Sequence, residues 1–186
     1  MPNVNGGLVD MNDSLIREAR QSDIEEILAI YNEGIVDRIA TLETTTKDRL
    51  YMSEWFNQHQ ERYKVVVADL NGKVAGWASL NPYNNRKAYE GVADLSIYIK
   101  RECRGRGIGG KLLSSIQKMA VENQFFKIVL FTFPFNELGQ GLYKKQGFRE
   151  VGIFRNHGKL DGKYVDVMAM EKLLVQGGMK DGNETN

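Results

Sequence analysis

The stretch RGRGIGGKLLSSIQKMA, Arg104 to Ala120, constrains the fold of this chain more than any other. Gly105, Gly107, Gly109 and Gly110 crowd into a few positions, and Ile108, Leu112, Leu113, Ile116, Met119 and Ala120 then share one helical face. Ahead of the loop, GVADLSIYI (91–99) alternates as a strand does. A strand, a glycine loop and a helix in that order aim free backbone N–H groups at one point, which suits a phosphate. Glycine lets the backbone come close to phosphate oxygens and take positive φ.

Three phosphate loops fit the same letters. Gly105, Gly107 and Gly110 read G-x-G-x-x-G, a dinucleotide fingerprint, and Gly105 to Lys111 read G-x-x-x-x-G-K, a triphosphate loop. With Arg104 the run is R-x-x-G-x-G, a cradle for the diphosphate of coenzyme A. The triphosphate loop needs a hydroxyl after the lysine to hold Mg²⁺, and that position is the apolar Leu112. A dinucleotide loop follows its strand directly and has an acid about 20 residues on. Here Lys100 to Cys103 intervene, and the next strand, KIVLFTF (127–133), runs into Pro134 and Asn136. The coenzyme A reading asks for a strand, a basic loop and a long helix, and all are present. Arg104 and Arg106 add fixed positive charge there. A turn that merely caps the helix is the bland alternative.

The flanking sequence supplies a mixed sheet. SLIREA (14–19) reads as a strand, and Ser22 with Glu25 forms a capping-box pair before a helix with Ile24, Ile27, Leu28 and Tyr31 inward. A second helix is expected from Lys47 to Arg62, with Leu50, Tyr51, Trp55 and Phe56 inward. YKVVVADL and KVAGWASL flank Asn71-Gly72, a strong hairpin signal. After the 127–133 strand come a short helix from Asn136 to Gln146 and strands at 147–154 and 164–171. The order β-α-α-β-β-β-α-β-α-β-β implies an α/β (α+β) fold, antiparallel at first, with one right-handed crossover after the glycine loop. One domain over 14–173 is expected, with flexible ends at 1–13 and 174–186.

Composition narrows the function. Among 186 residues, 25 Lys and Arg nearly cancel 24 Asp and Glu, so no charge argument favours nucleic acid or a membrane surface. No run reaches the roughly 18 apolar residues of a membrane span, and the start of the chain does not resemble a secretory leader, so a cytoplasmic location is expected. Cys103 alone makes no disulfide, and with only His59 and His157 besides, no metal site is expected. Cys103 is read as a bystander thiol, and both histidines as surface residues.

IREAR-x-x-D (16–23), LSIYI-x-x-x-x-RGRGIGGKLL (95–113) and FN-x-x-x-x-x-LYKKQGF (135–148) stand in an order that resembles the GNAT superfamily of acyl-CoA-dependent N-acyltransferases. IYNEGIVDRIATLET, GWASLNPYNNRKAYEGVADLSIYI and GKLDGKYVDV are similar to phosphinothricin N-acetyltransferases and bacterial L-amino-acid N-acyltransferases. The resemblance implies a mostly antiparallel GNAT sheet flanked by helices, acetyl-CoA as co-substrate, and transfer to the α-amino group of a small amino-acid-like acceptor. It also implies a homodimer. A protein N-terminus or a polyamine as acceptor, or a non-catalytic acyl-CoA sensor, are the alternative functions.

Residue by residue, the resemblance makes Asp94 the candidate general base, where those enzymes usually carry glutamate, with Glu43 and Glu90 as rivals. It gives Ile97, Tyr98 and Ile99 to the pantetheine arm, and Arg104, Gly105, Arg106, Gly107, Ile108, Gly109 and Gly110 to the diphosphate. Asn136 and Tyr143 lie seven apart, about two helical turns; the resemblance gives Asn136 to pantetheine and makes the Tyr143 hydroxyl the proton donor to the leaving thiolate. Arg86 and Arg38 are the candidate cations for the acceptor's carboxylate. Glu43 and Tyr83, with Tyr31, Thr41 and Trp77, are candidate pocket walls.

Overall fold

The computed structural model describes residues 14–59 and 61–174. The ends expected to be flexible lie outside that range except for Leu174, which is buried and donates its N–H to the Phe126 carbonyl at 2.8 Å. Seven strands and four α-helices alternate among the described residues as β1 (Leu15–Glu18), α1 (Ile24–Asp37), α2 (Arg49–Asn57), β2 (Val65–Leu70), β3 (Lys73–Pro82), β4 (Val92–Ile99), α3 (Ile108–Glu122), β5 (Lys127–Thr132), α4 (Glu137–Lys145), β6 (Arg149–Leu160) and β7 (Lys163–Leu173). They form one sheet in the order β1-β2-β3-β4-β5-β7-β6. Only β4 and β5 pair in parallel, joined through α3. This is the expected α/β (α+β) order with its single parallel crossover.

Each sheet face has its own core. On one, Leu112, Leu113 and Ile116 of α3 pack on Val66, Ala68, Leu80 and Leu95, with Ile97 and Ile99 at the margin. On the other, Ile27 and Ile30 of α1 and Met52 and Phe56 of α2 cover Val65, Val67 and Trp77, with Tyr98 alongside. Alternation along β4 thus sends Leu95, Ile97 and Ile99 to α3 and Tyr98 to α1.

Several local expectations change. The cap of the first helix is Asp23 rather than Ser22, which lies inside a 3-10 turn over Gln21–Asp23. The Asp23 carboxylate accepts the Arg20 N–H at 2.7 Å and two Arg17 N–H groups at 2.7 and 3.0 Å, while Arg17 Nε donates to Asp69 of β2 at 2.9 Å. Helix α2 is shorter than expected and its phase differs: Met52 and Phe56 are buried, whereas Leu50 and Tyr51 are exposed. Strand β6 extends to Leu160 and turns through Asp161 and Gly162, both at positive φ, into β7. Its residues 154–159 carry mostly exposed, polar side chains and so give no alternation to read.

Burial pushes the Asp23 carboxyl up, but Arg17 and the Arg20 N–H together pull it lower still, so its net shift is downward. The stabilisation is therefore full above the ordinary carboxylate range and is lost as pH falls through the depressed value. Asp23→Ala leaves Arg17 with Asp69 as its remaining carboxylate partner and is expected to cost about 2 kcal/mol in urea melts at pH 7. The gap between variant and wild type should close as the pH approaches that depressed value.

Candidate active site

Strands β4 and β5 pair over only three positions: Val92 with Lys127, Ala93 with Ile128 and Asp94 with Val129. Beyond Asp94 the two strands part, while β4 stays paired with β3 as far as Ile99 opposite Gly76. One edge of residues 95–99 therefore opens into a cleft of about 600 Å³. Strand β4 and the glycine loop line one side, and Phe131, Thr132, Phe133, Asn136 and Tyr143 line the other. An open strand edge is a surface on which an extended chain can hydrogen-bond as an added strand.

At one end of the cleft lies the glycine loop. Gly105 and Gly107 have φ of +74° and +80°, and a Cβ on either would meet no protein atom within 4 Å. Their role is therefore backbone conformation and an open approach. Gly107 caps α3 and its carbonyl accepts the Gly110 N–H at 3.1 Å, whereas the Ile108 and Gly109 N–H groups at the helix start lack intrahelical partners among the described residues. Among the described residues, the N–H groups of Gly105, Arg106 and Gly107 donate to no protein acceptor. The arrangement fits a diphosphate.

The two arginines of the loop do different work. Arg104 Nε donates to the Ile99 carbonyl at 3.1 Å, and its Nη1 meets Asp37 at 2.6 Å. Asp37, at the C-terminal end of α1, also holds Arg101 at 2.6 Å. Burial pushes the Asp37 carboxyl up, yet the two guanidiniums bring it below the ordinary range. Arg104 thus straps the loop to α1 and β4. Arg106 is exposed and has no ion pair among the described residues, so its charge faces solvent at the loop.

Across the cleft, Asn136 caps α4: its Oδ1 accepts the Gly139 N–H at 3.0 Å, and its Nδ2 reaches Thr132 Oγ1 at 3.3 Å. Tyr143, buried in α4, packs edge-on against Phe148 and also lines the cleft. Burial pushes its hydroxyl up to about 12, so it stays protonated at neutral pH.

Asp94 stands where the strands part. It is half-buried, and burial pushes its carboxyl up to about 7, against the opposing effects of Asn81 and the Leu95 N–H. Asn81 is its direct cross-strand partner on β3 and donates from Nδ2 to Asp94 Oδ2 at 3.5 Å and to Ser96 Oγ at 3.0 Å. A carboxyl poised near neutrality at the wall of a cleft is suited to accept a proton.

A model of the acetyltransferase (GNAT) domain matches residues 16–169. The chain belongs to the GNAT acetyltransferase family. YwnH of Bacillus subtilis, classed among phosphinothricin acetyltransferases, is 37% identical over 163 residues, spanning 86% of this chain and 98% of that protein. The L-methionine sulfoximine/L-methionine sulfone acetyltransferase of Pseudomonas aeruginosa is 28% identical, over 84% of this chain and 92% of that one. Among solved structures, a GNAT phosphinothricin acetyltransferase of Sinorhizobium meliloti in complex with AcCoA superposes with a TM-score of 0.82 at 29% identity, covering 87% of this chain and 88% of that one.

Within this GNAT domain the expected acceptor residues do not gather. The guanidinium of Arg38 is committed to the carbonyls of Ile35, Glu43 and Thr44 and to Asp161 at 3.2 Å, so it braces the segment after α1. Arg86 is exposed in the turn between β3 and β4 and does not line the cleft. Tyr83 is exposed there too and stacks edge-on with Tyr89. Glu43 is paired with Lys47 at 2.6 Å and Glu90 is exposed; neither lines the cleft. The carboxylates that do are Asp94 and Glu137, the latter exposed at the start of α4.

Ile39, Ala40, Thr41 and Leu42 meet Phe133 and Val167 at the cleft. Except for Thr41, the sequence reading missed this largely apolar wall. Tyr31 and Trp77 join Trp55 and Tyr98 in an aromatic cluster beneath it, and Trp77 is buried. Cys103 is buried with its thiol pushed up by desolvation, so it is a poor nucleophile. His157 is exposed and stacks on Phe154, but His59 is half-buried with both ring nitrogens hydrogen-bonded, contrary to a surface role.

A side chain at the Gly107 backbone conformation costs roughly 1–2 kcal/mol. Gly107→Ala should lower stability by about that amount. It should also weaken coenzyme A binding by at least about tenfold, as removing one good charge-assisted hydrogen bond would, read by isothermal titration calorimetry.

Proposed function

We propose that this protein transfers the acetyl group of acetyl-CoA to the α-amino group of a small amino acid or amino-acid analogue by direct attack. The observation that carries this reading is the Asp94 carboxyl, raised to about 7, where β4 leaves β5 at the wall of the cleft. The relatives that act on phosphinothricin and on methionine sulfoximine support the acceptor class. The wall of Ile39, Leu42, Phe133 and Val167 supports an acceptor with a short side chain that bears no positive charge over a polyamine. A polycation would call for several acids, and the cleft carboxylates are two, Asp94 and Glu137.

Bound acetyl-CoA supplies an activated thioester open to an amine. The chain's residues then divide the remaining work. The N–H groups of Gly105 to Gly109 hold the diphosphate, with Arg106 adding charge, while the Gly110 N–H stays on the Gly107 carbonyl; the open edge at Ile97 to Ile99 carries the pantetheine arm. Asp94 takes a proton from the acceptor ammonium, directly or through water. Tyr143, still protonated at neutral pH, gives its proton to the departing sulfur. Asn136 shapes the wall by capping α4 beside the arm.

Because Asp94 acts as its carboxylate, kcat/KM for the acceptor should rise with pH through an inflection near 7 and level off above it. Asp94→Ala should cut turnover by about 10²–10⁴-fold and leave coenzyme A affinity within about twofold. Thiol release from acetyl-CoA over a panel of amino acids, phosphinothricin, methionine sulfoximine and polyamines is the measurement. Normal turnover by Asp94→Ala would put the base elsewhere. Tight coenzyme A binding without acceptor-dependent thiol would instead support a sensor.

A further inference from the structure

Behind Asp94 lies a chain of hydrogen bonds that the transfer reaction does not by itself require. His59, just after α2, touches the Trp55 carbonyl through Nδ1 at 2.7 Å and Asn81 Oδ1 through Nε2 at 2.9 Å. Ser79 Oγ donates to the same Asn81 oxygen at 3.0 Å. The Asn81 amide nitrogen faces Ser96 Oγ, Asp94 Oδ2 and the Asp94 carbonyl at 3.0, 3.5 and 3.4 Å. One amide therefore stands between an imidazole and a carboxyl.

The chemistry of the donors restricts how this amide can sit. The Trp55 carbonyl only accepts, so His59 Nδ1 carries a proton. With the Asn81 oxygen turned to His59, Nε2 must carry a proton as well, and the ring is an imidazolium. The Asn81 nitrogen then donates toward Asp94, which favours the carboxylate. If His59 is neutral, Nε2 accepts, and Asn81 must turn its nitrogen to it. The Asn81 oxygen then faces the Asp94 carbonyl and Oδ2 at 3.4 and 3.5 Å, an arrangement that favours protonated Asp94, whose Oδ2 can then donate. Ser79 and Ser96 suit either orientation, because a hydroxyl both donates and accepts. Only His59 and Asp94 decide the matter.

We propose that His59 and Asn81 are positioning residues for acetyl transfer: the orientation of the Asn81 amide ties the proton on His59 to the charge on Asp94, so that imidazolium at His59 holds Asp94 as carboxylate. A proton taken by Asp94 from the acceptor ammonium is matched by one that His59 releases to solvent when the amide turns, so the two groups together carry the same number of protons before and after. Few other groups interfere. Asp94 faces Asn81 from β3, Tyr98 on its own strand, the uncharged Val129 of β5 and, on the opposite wall of the cleft, Tyr143. His59 faces Trp55 and Asn81, and neither His59 nor Asp94 enters a salt bridge among the described residues.

This proposal rests on Asp94 as the base, and the test separates the two. Two-bond ¹H–¹⁵N spectra of the free protein follow the ring nitrogens, with His59→Gln identifying the His59 signals against those of His157. The His59 titration should show a second inflection where Asp94 titrates, absent in Asp94→Asn and in Asn81→Ala. Superimposable His59 curves in wild type and Asp94→Asn would overturn the coupling. In kinetics, His59→Gln, which keeps a hydrogen-bonding amide without a titrating proton, should move the acid limb of acceptor kcat/KM up by about one pH unit, or tenfold in rate below it. The rates should converge at high pH. A merely structural role would lower the rate equally at every pH, and that outcome sinks the relay. An acid limb that survives in Asp94→Asn removes Asp94 as base. Loss of the limb in Asp94→Asn with a wild-type limb in His59→Gln removes the relay alone.

Discussion

The parting of β4 from β5 after Asp94 is the constraint on which the site depends. Three parallel pairings hold the strands together, and then β5 continues with β7 while β4 continues with β3. Backbone N–H and C=O groups on the freed edge must find partners elsewhere or stay in water. An unfilled edge of this kind suits an extended ligand lying against residues 95–99. The hydrophobic layers, α3 on one face and α1 with α2 on the other, cover the sheet on both sides.

The fork also sets the acid-base chemistry. Asp94 is the last paired residue of the parallel ladder, so its backbone is held while its carboxyl lies at the cleft wall. Partial burial there disfavours charge, and no ion pair among the described residues offsets it. Tyr143 is kept neutral by the same desolvation from the other wall. One environment thus leaves one group close to neutrality, able to exchange a proton there, and keeps the other protonated.

What the sequence disclosed was local. Asn71-Gly72 and the glycine loop specify backbone angles within a few residues, and both turn out at positive φ where expected. The apolar stripe of α3 is likewise written at fixed spacing and is buried as read, with Met119 at its margin. Tertiary pairing was not legible. Arg38 and Arg86 look equally available in the sequence, yet one is consumed by three carbonyls and Asp161 and the other stands in an exposed turn. Asn81 meets Asp94 only through the β3–β4 register, which the intervening turn conceals, and His59 arrives from the far end of α2. The phase of α2 was misread because Leu50 and Tyr51 are apolar but sit in an exposed first turn, capped by Asp48.

Asp37 joins two parts of the cleft that are usually considered apart. It ends the helix that leads into Ile39 to Leu42 at the apolar wall of the cleft, and it grips Arg101 and Arg104 at the entrance to the glycine loop. The two subsites therefore share one mechanical anchor. Selection acting on residues 38–42 to change which amine is accepted would also shift the stance of the cofactor loop. Acceptor preference and cofactor affinity would then drift together as the sequence diverges.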